Sequence, residues 1–230
     1  MKKIGEFPFH PNFTCDVCSR EIFGTERLCK PCRDALPWNR GEICICCGRR
    51  ELQTGLCIEC RAAKPEFDLA RSAFVYEGEA MRLVLRFKRG EKYLVETLTQ
   101  LLAPMLGEFA DADALAFVPM TQEAEKARGY NQSQLLAESL AAVSGLELLG
   151  SVSKLRETPP QKSLNLKQRR DNLKGCFKIE NKKSFQNKKV VLVDDILTTG
   201  ATASELARCM KKAGATRVYV LTVASVPNKK

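Results

Sequence analysis

The stretch Lys189–Leu206, KVVLVDDILTTGATASEL, constrains the fold more tightly than any other part of the chain. Its β-branched opening, Lys189–Val193, reads as a buried strand. Asp194 and Asp195 stand at the end of that strand, and Thr198, Thr199, Gly200, Ala201 and Thr202 form a short turn of small and hydroxylic residues. Helical periodicity follows over Ala201–Lys212, ended by Gly214. In a strand–turn–helix of this composition, backbone N–H groups converge on a phosphate and the helix N-terminus adds its partial positive charge. Carboxylates at the carboxyl end of a strand sit where open α/β sheets bind ligands, placed to accept hydrogen bonds from ribose hydroxyls. The chain contains no GxxxxGK[ST], so this is not a Walker loop.

The rest of the second half reads as alternating strands and helices. Ala70–Gly78 alternates like a strand, and Glu79–Lys88 and Glu91–Phe109 carry apolar residues at helical spacing around Gly90. Pro104 should start a new turn or kink the second helix. Ala114–Val118 is an apolar run fit for a buried strand, Asn131 can cap a helix to about Ser144 closed by Gly145, and Arg217–Val223 is a further strand. Such alternation predicts an α/β fold with a mostly parallel sheet flanked by helices.

Residues 1–65 differ in texture, dense in Cys, Gly, Pro and Arg and without a sustained period. Nine of the 11 cysteines lie between Cys15 and Cys60, and eight of those form CxxC pairs: Cys15/Cys18, Cys29/Cys32, Cys44/Cys47 and Cys57/Cys60. Two thiolates of one tight turn can reach the same tetrahedral ion, and a second turn completes the shell. Sequential pairing gives two four-cysteine ribbon sites; spacing alone also admits a crossed pairing. Closed four-thiolate sites leave no open coordination position, so two structural Zn²⁺ ions are expected, each contributing on the order of 10–16 kcal/mol of apparent binding energy in place of a core. Cys46, Cys176 and Cys209 read as bystanders, and His10 as a surface or packing residue. The predicted division is a zinc module over 1–65 and an α/β domain over 66–230.

The net charge of +10 permits anionic partners without selecting one. A local excess is sharper: Lys154, Arg156, Lys162, Lys167, Arg169, Arg170 and Lys174 face only Glu157 and Asp171 across 154–174, whose first half, with Pro159 and Pro160, reads as a loop. No apolar run approaches the roughly 18–20 residues of a membrane span. MKKIGEFPFHPNFTC has no apolar stretch behind its lysines, so a signal peptide is not expected and a cytoplasmic location is.

The strand, two acids and TTGAT loop resemble the signature of type I phosphoribosyltransferases. The wider chain is similar to the ComF family of competence-associated, phosphoribosyltransferase-like proteins. That resemblance runs over nearly the whole length: the CxxC array with Cys47–Gly48, Leu36–Pro37, Tyr76–Gly78, Phe87–Lys88, Arg128–Gln132 (RGYNQ), and Arg156, Thr158, Gln161, Leu164, Arg169 and Asn172 in the basic segment. It implies that Asp194 and Asp195 hold the ribose hydroxyls, and that Thr198, Thr199, Gly200, Ala201 and Thr202 cradle the 5′-phosphate. It further implies that Val118, Pro119, Met120 and Thr121 form the pyrophosphate loop. Met120, Thr121 and Gln122 depart from the VPVP and histidine common there. Lys88 and Arg128 are then candidate pyrophosphate ligands, and 154–174 a loop over the site, with Arg156, Lys162, Arg169 and Arg170 near the leaving group.

The implied activity is Mg²⁺-dependent phosphoribosyl transfer from phosphoribosyl pyrophosphate to an acceptor the sequence does not identify. Two rival readings reuse the fold without catalysis: a sensor of phosphoribosyl pyrophosphate or a nucleotide, and an accessory that binds single-stranded DNA beside DNA-uptake proteins. The latter draws on the basic segment and on Arg49, Arg50 and Arg61 near the knuckles.

Overall fold

The computed structural model describes residues 13–51, 53, 55–156 and 172–227. Among these, the strands are Leu69–Val75 (β1), Ala114–Phe117 (β2), Glu147–Leu149 (β3), Val152–Lys154 (β4), Phe177–Ile179 (β5), Lys189–Leu197 (β6) and Arg217–Ser225 (β7). The helices are Lys30–Asp34 (α1), Ile58–Ala62 (α2), Gly78–Lys88 (α3), Leu94–Leu102 (α4), Gln122–Arg128 (α5), Gln132–Ser144 (α6) and Ala201–Lys212 (α7).

Five strands form one parallel sheet in the order β1-β7-β6-β2-β3. Its central strands are buried on both faces, which is why β6 and β7 read as continuous apolar runs. The pleat deals alternate residues to two cores. Val191 and Val193 join Leu83, Phe87, Leu98 and Leu136 from α3, α4 and α6. Val190 and Leu192 join Leu206 and Met210 from α7 with Phe185. Helices on both faces of a parallel sheet complete the expected α/β class. β4 and β5 pair separately as an antiparallel ribbon.

Three boundaries differ from expectation. β6 continues through the acid pair to Leu197, because β7 goes on offering partners: Asp194 lies opposite Thr222 and Leu197 opposite Ser225. The second predicted helix is split into α4 and a 3₁₀ stretch over Ala103–Phe109, with Pro104 in its first turn. Lys154 and Lys174 flank residues 157–171, outside the described part, and the ribbon β4–β5 gives this basic segment an ordered base.

The cysteine-rich front end packs against the sheet edge. Asn39 N–H donates to Ala73 O at 2.8 Å, Val75 N–H to Pro37 O at 2.8 Å and Ala70 N–H to Cys46 O at 2.8 Å, so the front end supplies partners along the free side of β1. Trp38 lies on Phe74, ring centroids 4.8 Å apart. The first knuckle also reaches α4, where Arg27 pairs with Glu96 and the Thr97 hydroxyl donates to Asp16.

Candidate functional site

The acid pair lies at the carboxyl end of β6 on the wall of a cleft of about 230 Å³. Of the residues singled out in the sequence, the fold brings Asp194, Asp195, Thr202, Lys88, Pro119, Met120 and Arg128 to this one cleft. They come from β6, α7, α3, the β2–α5 connection and α5, with Lys88 and Thr202 more than a hundred residues apart in the chain.

Each side chain is held locally. Asp194, half-buried, accepts from the Ser133 hydroxyl at 2.8 Å and from the Asp195 N–H at 2.9 Å. Burial pushes its carboxyl up to about 7, and the adjacent Asp195 charge adds to that; Ser133, the Asp195 N–H and Lys88 pull it back. Asp195 is met by Lys88 Nζ at 2.9 Å. The site therefore holds one neutralised carboxylate and one carboxyl poised near neutrality.

Gly200 turns the chain into α7 with φ +73°, in the left-handed region, and no side chain caps the helix. The first backbone N–H groups of α7 thus have no intrahelical acceptors. A side chain at Gly200 would crowd its neighbour: a Cβ there would stand 3.3 Å from Phe67 Cε1. Thr199 and Ala201 face the cysteine-rich front end, lining a small void with Cys47, Arg49, Cys60 and Phe67, while Thr202 faces the cleft. The Thr198 carbonyl accepts from Arg49 Nη1 at 3.1 Å.

The remaining sequence candidates fall elsewhere. Thr121 is buried and caps α5, accepting from the Ala124 N–H at 3.2 Å, so it orients that helix rather than lining the cleft. The exposed Arg156 donates to the carbonyls of Asn172 and Lys174 at 3.1 and 3.4 Å and does not line the cleft, although Lys154 and Leu173 beside it do. Lys162, Arg169 and Arg170 lie outside the described residues, as does His10. Arg49, read from sequence as a strand-binding candidate, is only 3% exposed and fully engaged by Cys47, Cys57, Glu59 and Thr198. It is a structural link, not a surface cation.

Sequence reasoning singled out neither Ser133 nor Phe177 for the cleft, and it named Gln132, Lys154 and Leu173 only within the RGYNQ run and the 154–174 loop. The RGYNQS run carried the signal: its Asn131 caps α6 through Ser133 and Gln134 N–H and donates to Val118 O at 3.1 Å. That single residue ties the Val118–Met120 connection to the helix that presents Ser133. Gln132 accepts from Arg128 at 2.7 Å, while its buried Nε2 has no hydrogen-bond partner among the described residues.

The cysteines pair sequentially. Cys15, Cys18, Cys29 and Cys32 form one group and Cys44, Cys47, Cys57 and Cys60 another, each with its ligand atoms within 4.8 Å of one another, close enough to hold a metal ion. A crossed pairing is thereby set aside. Cys18 and Cys29 Sγ are 3.7 Å apart, as are Cys47 and Cys57 Sγ. Backbone N–H groups of Cys47 and Cys57 point at Cys44 Sγ at 3.5 and 3.4 Å.

A larger cavity of about 680 Å³ lies around Trp38, Leu101 and Met105. Its carboxylates are already paired, Glu26 with Arg33 and Glu108 with Arg71, so it lacks the chemistry of the first cleft. Among the described residues no helix is long and apolar enough to cross a membrane.

A family model for a phosphoribosyl transferase domain matches residues 127–230, which include the acid pair and the turn. Across most of its length the chain is similar to Competence protein F of Haemophilus influenzae, 29% identical over 225 residues, 93% of this chain and 97% of that one. Competence protein ComFC of Bacillus subtilis is 28% identical over 88% of this chain and 86% of its own. DNA utilization protein YhgH of Salmonella typhimurium is 30% identical over 84% of this chain and 94% of its own.

Proposed function

The chain belongs to the ComF family, competence-associated proteins with a phosphoribosyltransferase-like domain, and from that premise we propose that its cleft binds phosphoribosyl pyrophosphate or a nucleotide. One observation carries the proposal: Asp194 and Asp195 at the end of β6 share a cleft with Thr202 at the uncapped N-terminus of α7. The acids accept from the ribose 2′- and 3′-hydroxyls. The first N–H groups of α7, the backbone of the Thr198–Thr202 turn and the Thr202 hydroxyl, which faces the cleft, receive the 5′-phosphate. Lys88, Arg128 and the Val118–Met120 connection face the pyrophosphate end.

We further propose that the protein is a phosphoribosyltransferase. In that reaction the bond from the anomeric carbon to pyrophosphate breaks and pyrophosphate leaves with the electron pair, while an acceptor bonds to the carbon. Mg²⁺, when bound with the substrate, would neutralise charge on the leaving pyrophosphate. The adjacent carboxyls Asp194 and Asp195 suit such a cation on the ribose side. Lys88 exchanges its pairing with Asp195 for the growing charge of the leaving group.

For the two cysteine groups we propose structural Zn²⁺. A tetrahedral shell with Zn–S of about 2.3 Å sets S–S edges of about 3.8 Å, matching the Cys18–Cys29 and Cys47–Cys57 sulfur pairs at 3.7 Å. The relatives' names, competence and DNA utilization, support a role beside DNA uptake, with the basic excess of 154–174 as the strand-facing feature.

Calorimetric titration with phosphoribosyl pyrophosphate and Mg²⁺ tests the reading. Saturable binding lost in the Asp194→Asn/Asp195→Asn double variant is expected; unchanged affinity in that variant overturns it. Pyrophosphate release across an acceptor panel separates enzyme from sensor. Single-strand affinity that fails to drop with salt removes the phosphate-contact role.

A further inference from the structure

Arg49 hydrogen-bonds both the second cysteine group and the glycine turn. Its Nε donates to Cys47 Sγ at 3.4 Å, and Nη2 to Cys57 Sγ at 3.8 Å and to Glu59 Oε2 at 2.6 Å. Its Nη1 donates to the Thr198 carbonyl at 3.1 Å, across 149 residues of chain. At 3% exposure it is a buried cation, and a buried charge persists only where it is compensated.

The compensation is informative. Four thiolates around a divalent ion leave a net charge of about −2. A guanidinium bridging two of the sulfurs is the kind of outer partner that orients metal ligands. Its planar fork cannot turn without dropping a partner, so the position of the cysteine group fixes the Nη1–Thr198 contact. The same side of the turn is backed by Phe67 against Gly200, and Thr199 shares the small void with Cys47 and Cys60. The turn is thus held from behind by the cysteine-rich front end and open toward the cleft.

We propose that Arg49 is a positioning residue through which the metal-loaded state of the Cys44, Cys47, Cys57 and Cys60 group sets the conformation of Thr198–Thr202, and so the affinity for a phosphate there. The affinity part rests on the reading of that turn as a phosphate cradle; the coupling part does not. Loss of metal from the second group loosens the turn. Loss from the first group, which packs on α3 and α4 instead, leaves it unchanged.

The test uses full-length Arg49→Met and Arg49→Lys proteins, with metal content, amide hydrogen exchange and phosphoribosyl pyrophosphate titration on each. Both should retain two equivalents of metal and show faster exchange confined to the peptide covering 197–203. Affinity should be weaker by about tenfold or more. Lysine keeps the charge beside the sulfurs but cannot reach all four partners. Equal loosening in both variants therefore marks positioning, whereas rescue by lysine marks charge balance alone and overturns the proposal. Unchanged exchange at 197–203 also overturns it. Should Arg49→Met fail to fold, Glu59→Ala, which frees one arm of the fork, should give the same localised exchange at smaller amplitude, and no change there sinks the idea. If exchange responds but wild type takes up no phosphoribosyl pyrophosphate, the coupling stands and the cradle reading falls.

Discussion

Lys88 Nζ stands 2.9 Å from Asp195 Oδ2, with only 13% of the aspartate side chain exposed, so α3 and β6 are joined by an ion pair at the mouth of the cleft. Two adjacent carboxylates at one strand end repel each other, and Lys88 relieves that repulsion in the ligand-free protein. Lys88→Met should lower stability by roughly 1–3 kcal/mol, because a partly buried acceptor is left without its cation. Asp195→Asn should recover part of the loss. A double-mutant cycle in urea checks it, with a coupling of about 0.5 kcal/mol or more expected; additivity would show that the pair contributes nothing.

Asp194 makes stability depend on pH with an unusual sign. Burial, then the Asp195 charge, raises its carboxyl from the ordinary 3.8 to about 7, against the pull of Ser133, the Asp195 N–H and Lys88. Between those values the folded protein keeps a proton that the unfolded chain has released. The unfolded state binds fewer protons there, so this group's contribution falls as pH rises from about 4 to about 7 and is level above, with a slope of up to about 1.4 kcal/mol per pH unit. Urea midpoints of wild type minus Asp194→Asn across that window isolate the effect. Affinity for phosphoribosyl pyrophosphate should move oppositely, climbing as pH passes about 7 and Asp194 ionises.

Glycine is demanded at two places for different reasons. At Gly200, φ +73° alone costs an alanine roughly 1–2 kcal/mol, and its Cβ would press on Phe67 at 3.3 Å. At Gly48 a Cβ would lie 2.3 Å from the Ala70 carbonyl, a collision with backbone that only displacement of the knuckle relieves. Gly48→Ala should therefore destabilise more than Gly200→Ala in chemical denaturation. Gly200→Ala should show the larger loss of phosphoribosyl pyrophosphate affinity. The reverse order on either measurement would contradict these placements.

What the sequence made legible was local and periodic: the four knuckles, the strand–acid–turn–helix unit, the Asn131 cap and the break at Pro104. The parallel sheet followed from alternation. Long-range geometry was not legible, since periodicity is silent on which elements meet. Ser133 reads as a polar residue in the first turn of a helix until β6 places Asp194 2.8 Å from it. Arg49 reads as a surface arginine until the knuckle seats it, buried, between two sulfurs and a carbonyl 149 residues away. Thr121 lay in a loop read as a ligand contact, yet its hydroxyl is spent capping α5.

With the proposed Zn²⁺ in both cysteine groups, metal removal should lower the stability of the chain as one cooperative unit, because the front end is built into the core of the sheet. Asn39, Pro37 and Cys46 supply backbone partners along β1, Trp38 packs on Phe74, and Cys15, Leu28 and Leu36 lie in the same apolar cluster as Leu83 and Phe87. Each four-thiolate site contributes on the order of 10–16 kcal/mol of apparent binding energy at neutral pH, comparable to the whole stability of a domain. Without metal, β1 loses its outer partners and Phe74 its cover. Trp38, the single tryptophan, reports on the junction by fluorescence, and far-ultraviolet circular dichroism reports on the sheet and helices. The two signals should coincide in denaturation with metal bound, and should shift together to lower denaturant after chelation. Tryptophan exposure well ahead of the loss of secondary structure would mean that the front end melts alone, and that its contacts with β1 are too weak to couple the two.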